Sequence, residues 1–341
     1  GEWSSSAGAL SHGYLVVAIS AFLFVRAVPQ VAQVDVKPVW WLLPVVLGLS
    51  LGWLLGHIAT VIAVQTVVLP ATLYFSIVAA IGVRASRPLA FPVLYLYFAL
   101  PAWVHLQFFF QAVTAKVVGA MVRLADIPAI LSGNFFQLAD GIFEIAGSCS
   151  GLSFIVAGLS LAVLYGHLFY DRIWHTLQLA AVTLVVAMVG NWIRVFSIIY
   201  IGNKTQMQSG LVHDHLTYGW IIFGVLMVPV YLFARHLESH GAERRVQSDQ
   251  FDGRYATLRI PALVAAIAMF AVGPLWVSTV QYGVATQKED LLQLPTGTGR
   301  WTGPSMSHWQ WNPEYKDPDA ERIAQYGSVD DFVLVYTNVY L

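Results

Sequence analysis

The chain has 341 residues, of which 57% are apolar and only 11% charged, with a mean hydropathy of +0.64. Soluble domains carry about 25% charged residues, so this balance excludes an ordinary soluble fold and reads as an all-α polytopic membrane protein. A net charge of −1 gives no basis for nucleic-acid binding, and one cysteine, Cys149, excludes an intramolecular disulfide.

Residues 1–11 are small and polar and lack a basic n-region. They read as an N-terminal tail or an expression remnant, not as a signal peptide. About eight apolar segments of bilayer-spanning length follow: 12–29, 38–55, 58–82, 89–106, 148–169, 173–200, 216–235 and 259–281. The stretch 107–147 is too mixed to span. Its first part, 107–123, carries Lys116 and Arg123 among apolar residues, which predicts an interfacial helix. Its second part, 127–145, has Gly133-Asn134 and Asp140-Gly141 between short β-prone runs, which predicts a small hairpin. The tail 282–341 is polar, holds Trp301, Trp309 and Trp311, and ends in an alternating strand over 332–341 with no onward partner.

Lys and Arg collect on the cytoplasmic side of membrane proteins. Arg26 and Lys37 lie between the first and second segments, Arg84 and Arg87 after the third, and Arg172 between the fifth and sixth. Arg235, Arg244, Arg245, Arg254 and Arg259 lie between the seventh and eighth. Alternation puts all these loops on one side and sends both termini, the loops 107–147 and 201–215 and the tail outward. Lys116, Arg123 and Lys204 are the fewer exceptions. Three polar groups then fall at the outer face: Cys149 at the start of the fifth segment, Arg194 near the end of the sixth and His215 at the start of the seventh.

Each of the three has a plain structural reading. A lone membrane cysteine is commonly a small buried apolar residue. Arg194 reads either as a snorkelling interfacial cation or as a charge turned into the bundle toward a partner. His215 reads either as an interfacial histidine beside aromatic anchors or as a general base titrating near neutrality. The surroundings of Cys149, Gly147-Ser148-Cys149-Ser150-Gly151, keep the sulfur free of bulky neighbours. It stands near a helix N-terminus, where the macrodipole favours the nucleophilic thiolate. Arg194 could then stabilise that thiolate or a developing oxyanion. His213-Asp214-His215 offers two imidazoles around a carboxylate, too few for a metal site, and no metal or cofactor is implied. Glu144 and Asp140, just before the cysteine, are candidates to orient His215 or bind a basic substrate group.

Ser148-Cys149-Ser150-Gly151-Leu152 after Glu144, then Asn191-x-x-Arg194, then Asp214-His215-Leu216-x-Tyr218-Gly219-Trp220, resemble the three signatures of the exosortases, in the same order on successive helices. The resemblance covers about 12–281, with 282–341 similar to the opening of the small outer, periplasmic region fused to exosortases of the A type, cut short. The usual family pattern is Glu-Ala-Cys-Ser-Gly-Leu-Arg; here Gly147-Ser148 precedes Cys149 and Ser153 stands where that arginine is common. The resemblance implies a multi-pass cysteine protease and transpeptidase of the bacterial inner membrane with its active site at the periplasmic face. Its implied partners, besides membrane lipid, are exported proteins with a C-terminal Pro-Glu-Pro motif, one membrane helix and a basic tail. By position Cys149 is the implied nucleophile, His215 the general base and acid, and Arg194 the electrostatic partner. Asn191, His213, Asp214 and Glu144 are candidates for support. Lys116 and Arg123 are candidate contacts for the acidic motif. The alternative is a transporter or polysaccharide-export component that binds an anionic substrate through Arg194 and His215; a third reading is a scaffold without chemistry.

Overall fold

In hydrocarbon a backbone must satisfy its own hydrogen bonds, so long apolar segments become helices. The computed structural model describes residues 12–138, 141–210, 215–239, 260–285, 294–305, 320–328 and 331–339. It divides into two compact units, Gly1–Ala271 and Val272–Leu341. The first contains α1 (Gly13–Ala32), α2 (Leu43–Ile58), α3 (Ile62–Ile81), α4 (Val83–Tyr95), α5 (Gln107–Leu124), α6 (Leu152–Phe169), α7 (Ile173–Lys204) and α8 (His215–Ser239). The start of α9 (Ile260–Ala285) belongs to it as well. Seven of the described helices are long and apolar enough to cross a membrane, or eight if α4 and α5 are taken as one span bent by 49°. The chain is a polytopic all-α membrane protein.

The fourth expected segment, 89–106, is not one helix. The helix begins earlier, at Val83, so the exposed Arg84 and Arg87 occupy the first turns of α4 and not a loop. It ends at Tyr95 and passes through two 3-10 turns, Leu96–Phe98 and Pro101–Leu106, into α5. Pro101 explains the break: its ring disfavours a helical residue before it, and Leu100 is extended (φ −96°, ψ 150°). Hydropathy runs across this point without interruption, so composition alone conceals it.

The segment expected to form a hairpin forms a three-stranded antiparallel meander: β1 (Ile130–Ser132), β2 (Phe135–Leu138) and β3 (Gly141–Glu144). Ser132 pairs with Phe135 across the two-residue turn Gly133-Asn134, where Gly133 has φ +59°. Phe136 and Leu138 turn inward and join Ala115, Val118 and Val122 of α5 and Val195 and Ile199 of α7 in one buried cluster. Cys149 packs against the edge of that cluster.

Among the described helices α7 is the longest, at 32 residues, or about 48 Å at 1.5 Å per residue, against roughly 30 Å of hydrocarbon. It continues past the expected end at 200, so Lys204 closes its last turn instead of lying in a loop, and Arg194 stands well inside it. α6 approaches α7 closely because Gly158 faces Thr183: a Cβ on Gly158 would lie 2.8 Å from the threonine methyl.

In the second unit, β4 (Thr302–Ser305), β5 (Ala320–Gly327) and β6 (Phe332–Val339) make an antiparallel sheet in that order. The terminal strand does have a partner, and it lies upstream: β6 pairs with β5 from Ala320↔Val339 to Gly327↔Phe332.

Candidate active site

Cys149 does not lie in a membrane helix. It closes a 3-10 turn, Gly147–Cys149, three residues before α6 begins. Gly151 separates the two elements with φ +86°, a left-handed conformation that favours glycine. The Cys149 side chain is half-buried.

The loop carrying Cys149 has buried main-chain carbonyls without a sheet or helix ladder to satisfy them. Leaving such a group unpaired costs about 1–3 kcal/mol. Three polar side chains supply donors. Gln111 Nε2 of α5 donates to the carbonyl of Ile145. Asn191 Nδ2 of α7 donates to the carbonyl of Cys149 at 2.9 Å. Thr114 Oγ1 of α5 lies 3.4 Å from the carbonyl of Ser150 and 3.5 Å from Asn191 Nδ2. All three side chains are buried. Asn191 is among the candidates for support named from the sequence. Gln111 and Thr114 were not anticipated, although a signal existed: Gln107, Gln111 and Thr114 recur at i, i+4 and i+7 on an otherwise largely apolar helix. Gln107 belongs to the same stripe, since a Cβ on Gly147 would collide with its side chain.

Arg194 is 2% exposed, which rules out a snorkelling cation. It points into the bundle one turn beyond Asn191 on α7. Its Cζ lies 5.4 Å from the centre of the Phe154 ring of α6. Asn191, one turn earlier on the same helix, bonds the Cys149 carbonyl, which brings Arg194 to the same end of the helix as the cysteine loop. From α8, Gly219 closes over it: a Cβ there would lie 2.6 Å from Arg194 Nε and 2.9 Å from Cζ. Nearby, Ser197 Oγ bonds the Arg194 carbonyl at 2.8 Å and meets the Tyr218 hydroxyl at 3.0 Å, fastening the start of α8 to α7.

His215 is the first residue of α8. It stands four positions before Gly219 in the chain, and its side chain lies outside what the structure describes. Cys149, Asn191, Arg194 and the first turns of α8 therefore meet at one end of the bundle. His213, Asp214 and Asp140 lie outside the described residues. Glu144 is exposed on β3, and Lys116 and Arg123 are exposed on α5 on the face away from the buried cluster; none joins the Cys149–Arg194 centre. Among the described residues, no three His, Cys, Asp or Glu side chains gather in a way that could hold a metal ion.

A polytopic helical bundle with a buried arginine one turn from the asparagine that holds a half-buried cysteine defines the class of protein: a membrane protein with a polar centre at one end of its helices. Residues 3–232 match the family described as Transmembrane exosortase (Exosortase_EpsH), well over half of the chain, and the protein belongs to that family. No curated protein and no solved structure matches it.

Proposed function

We propose that this exosortase is a cysteine peptidase and transpeptidase of the bacterial inner membrane. It cleaves the C-terminal sorting signals of exported proteins, of the Pro-Glu-Pro type followed by a membrane helix and a basic tail, and passes them to an acceptor. One observation carries this reading. Arg194, a cation that is costly to bury, stands one turn from Asn191, which bonds the main chain of the only cysteine, and against the helix that His215 opens.

The chemistry follows from these residues. His215 accepts the proton of Cys149 Sγ, and the thiolate attacks the scissile carbonyl carbon. Arg194 stabilises the negative charge on the carbonyl oxygen. The C–N bond breaks, His215 returns the proton to the leaving amine, and a thioester joins substrate to Cys149. An acceptor nucleophile or water then attacks the thioester and frees the thiolate. Charge asymmetry between the loops supports placing this site at the periplasmic face. Lys116 and Arg123, seven residues apart and exposed on one face of α5, are available there to the acidic residue of the motif or to lipid head groups.

The test is co-expression with a tagged exported protein bearing such a signal, read by mass. Wild type should shorten the substrate and Cys149→Ala should leave it intact. Equal processing by both would overturn the reading.

A further inference from the structure

The loop from Ile145 to Ser150 is held by donors from two different helices, and their arrangement bears on the reaction. Gln111 and Thr114 reach it from α5 and Asn191 from α7. Asn191 and Arg194 are three residues apart on α7, so one rigid helical turn carries both the donor that fixes the Cys149 main chain and a buried cation on the same helix face. The placement of the cysteine loop relative to the guanidinium is then set by a helix, and α5, packed on α7, holds the same loop through Gln111 and Thr114. Gly147 and Gly151 are part of the fit. A Cβ on Gly147 would strike Gln107, and one on Gly151 would lie 2.8 Å from Asn191 Cγ.

We propose that Gln111, Thr114 and Asn191 form a carbonyl clamp that positions Cys149 against Arg194 for the cysteine chemistry of the preceding section, on which this inference rests. They are positioning residues: they touch the loop backbone and not the reacting atoms. Without the clamp the loop can still fold over α5 and α7 through its apolar cluster, but the thiol no longer sits at a fixed place beside the guanidinium.

The chain's one cysteine supplies a readout that needs no substrate, because alkylation by iodoacetamide reports Cys149 alone. Thr114→Val and Asn191→Leu keep approximate size and remove a donor; Thr114→Ser keeps the hydroxyl. With purified full-length protein, Arg194→Gln should slow alkylation in the wild-type background. The same substitution should have little further effect in Thr114→Val or Asn191→Leu, because the coupling between loop and arginine is already lost. Processing should fall by about tenfold or more in kcat, with KM little changed, while the thermal midpoint stays within a few degrees of wild type. Thr114→Ser should restore both readouts. Asn191→Leu, from the opposite helix, carries the same test if Thr114→Val does not accumulate. Wild-type alkylation coupling and processing in both donor-removing variants would overturn the clamp. Loss of coupling with no processing by any variant, wild type included, would keep the clamp and remove the peptidase reading.

Discussion

The guanidinium of Arg194 contacts the Phe154 ring and is covered by Gly219, with almost no solvent. Such a site uses the planar shape of arginine as well as its charge. Arg194→Lys should therefore lose processing nearly as completely as Arg194→Ala; full activity of the lysine variant would reduce the role to charge alone. Gly219 makes a second test. Gly219→Ala puts a methyl 2.6 Å from Nε, so the arginine must move, and processing should drop while the protein still assembles in the membrane. An alanine variant as active as wild type would mean the guanidinium has freedom that the packing does not suggest. Cys149, Arg194 and His215 stand out in the sequence because each interrupts or borders an apolar run where a polar group is costly. Gln111 and Thr114 were not, since neutral polar residues on a helix are ordinary until the surface they face is known.

At the scale of elements, the junction before α6 is the tightest point. Gly151 combines φ +86° with the side chain of Asn191 against its Cα. Gly151→Ala should cost about 1–2 kcal/mol from the left-handed backbone alone, with more from the clash. Thermal unfolding in detergent should show the loss, and processing should fall further than stability does because the loop carries Cys149. The helices themselves could be read from apolar length. Where the reading failed, the cause is local. Hydropathy does not register the steric limit that Pro101 sets on Leu100, so α4 and α5 looked like a span and an interfacial helix instead of two arms of one bend. The third strand of the meander is only four residues, Gly-Ile-Phe-Glu, too short to announce itself before its pairing with β2 is known.

For the whole molecule, the loop charges predict which side the thiol faces, and the single cysteine makes that measurable. A membrane-impermeant maleimide should label Cys149 in cells with permeabilised outer membranes and fail to label it in sealed inverted vesicles. Labelling only in inverted vesicles would reverse the topology. The length of α7 has a further consequence. From Ile173 to Arg194 the helix rises about 32 Å, close to the thickness of the hydrocarbon, and its last ten residues continue beyond. Under the proposed function, this span would match the height of the reacting groups to the lipid. In proteoliposomes of graded acyl-chain length, processing should peak at an intermediate chain. Longer chains would draw Arg194 and the scissile bond below the head groups, where water and acceptor are scarce, and shorter ones would force the helix to tilt. A flat response across chain lengths would show that the protein deforms the bilayer around itself, so that lipid thickness does not govern the depth of the reaction.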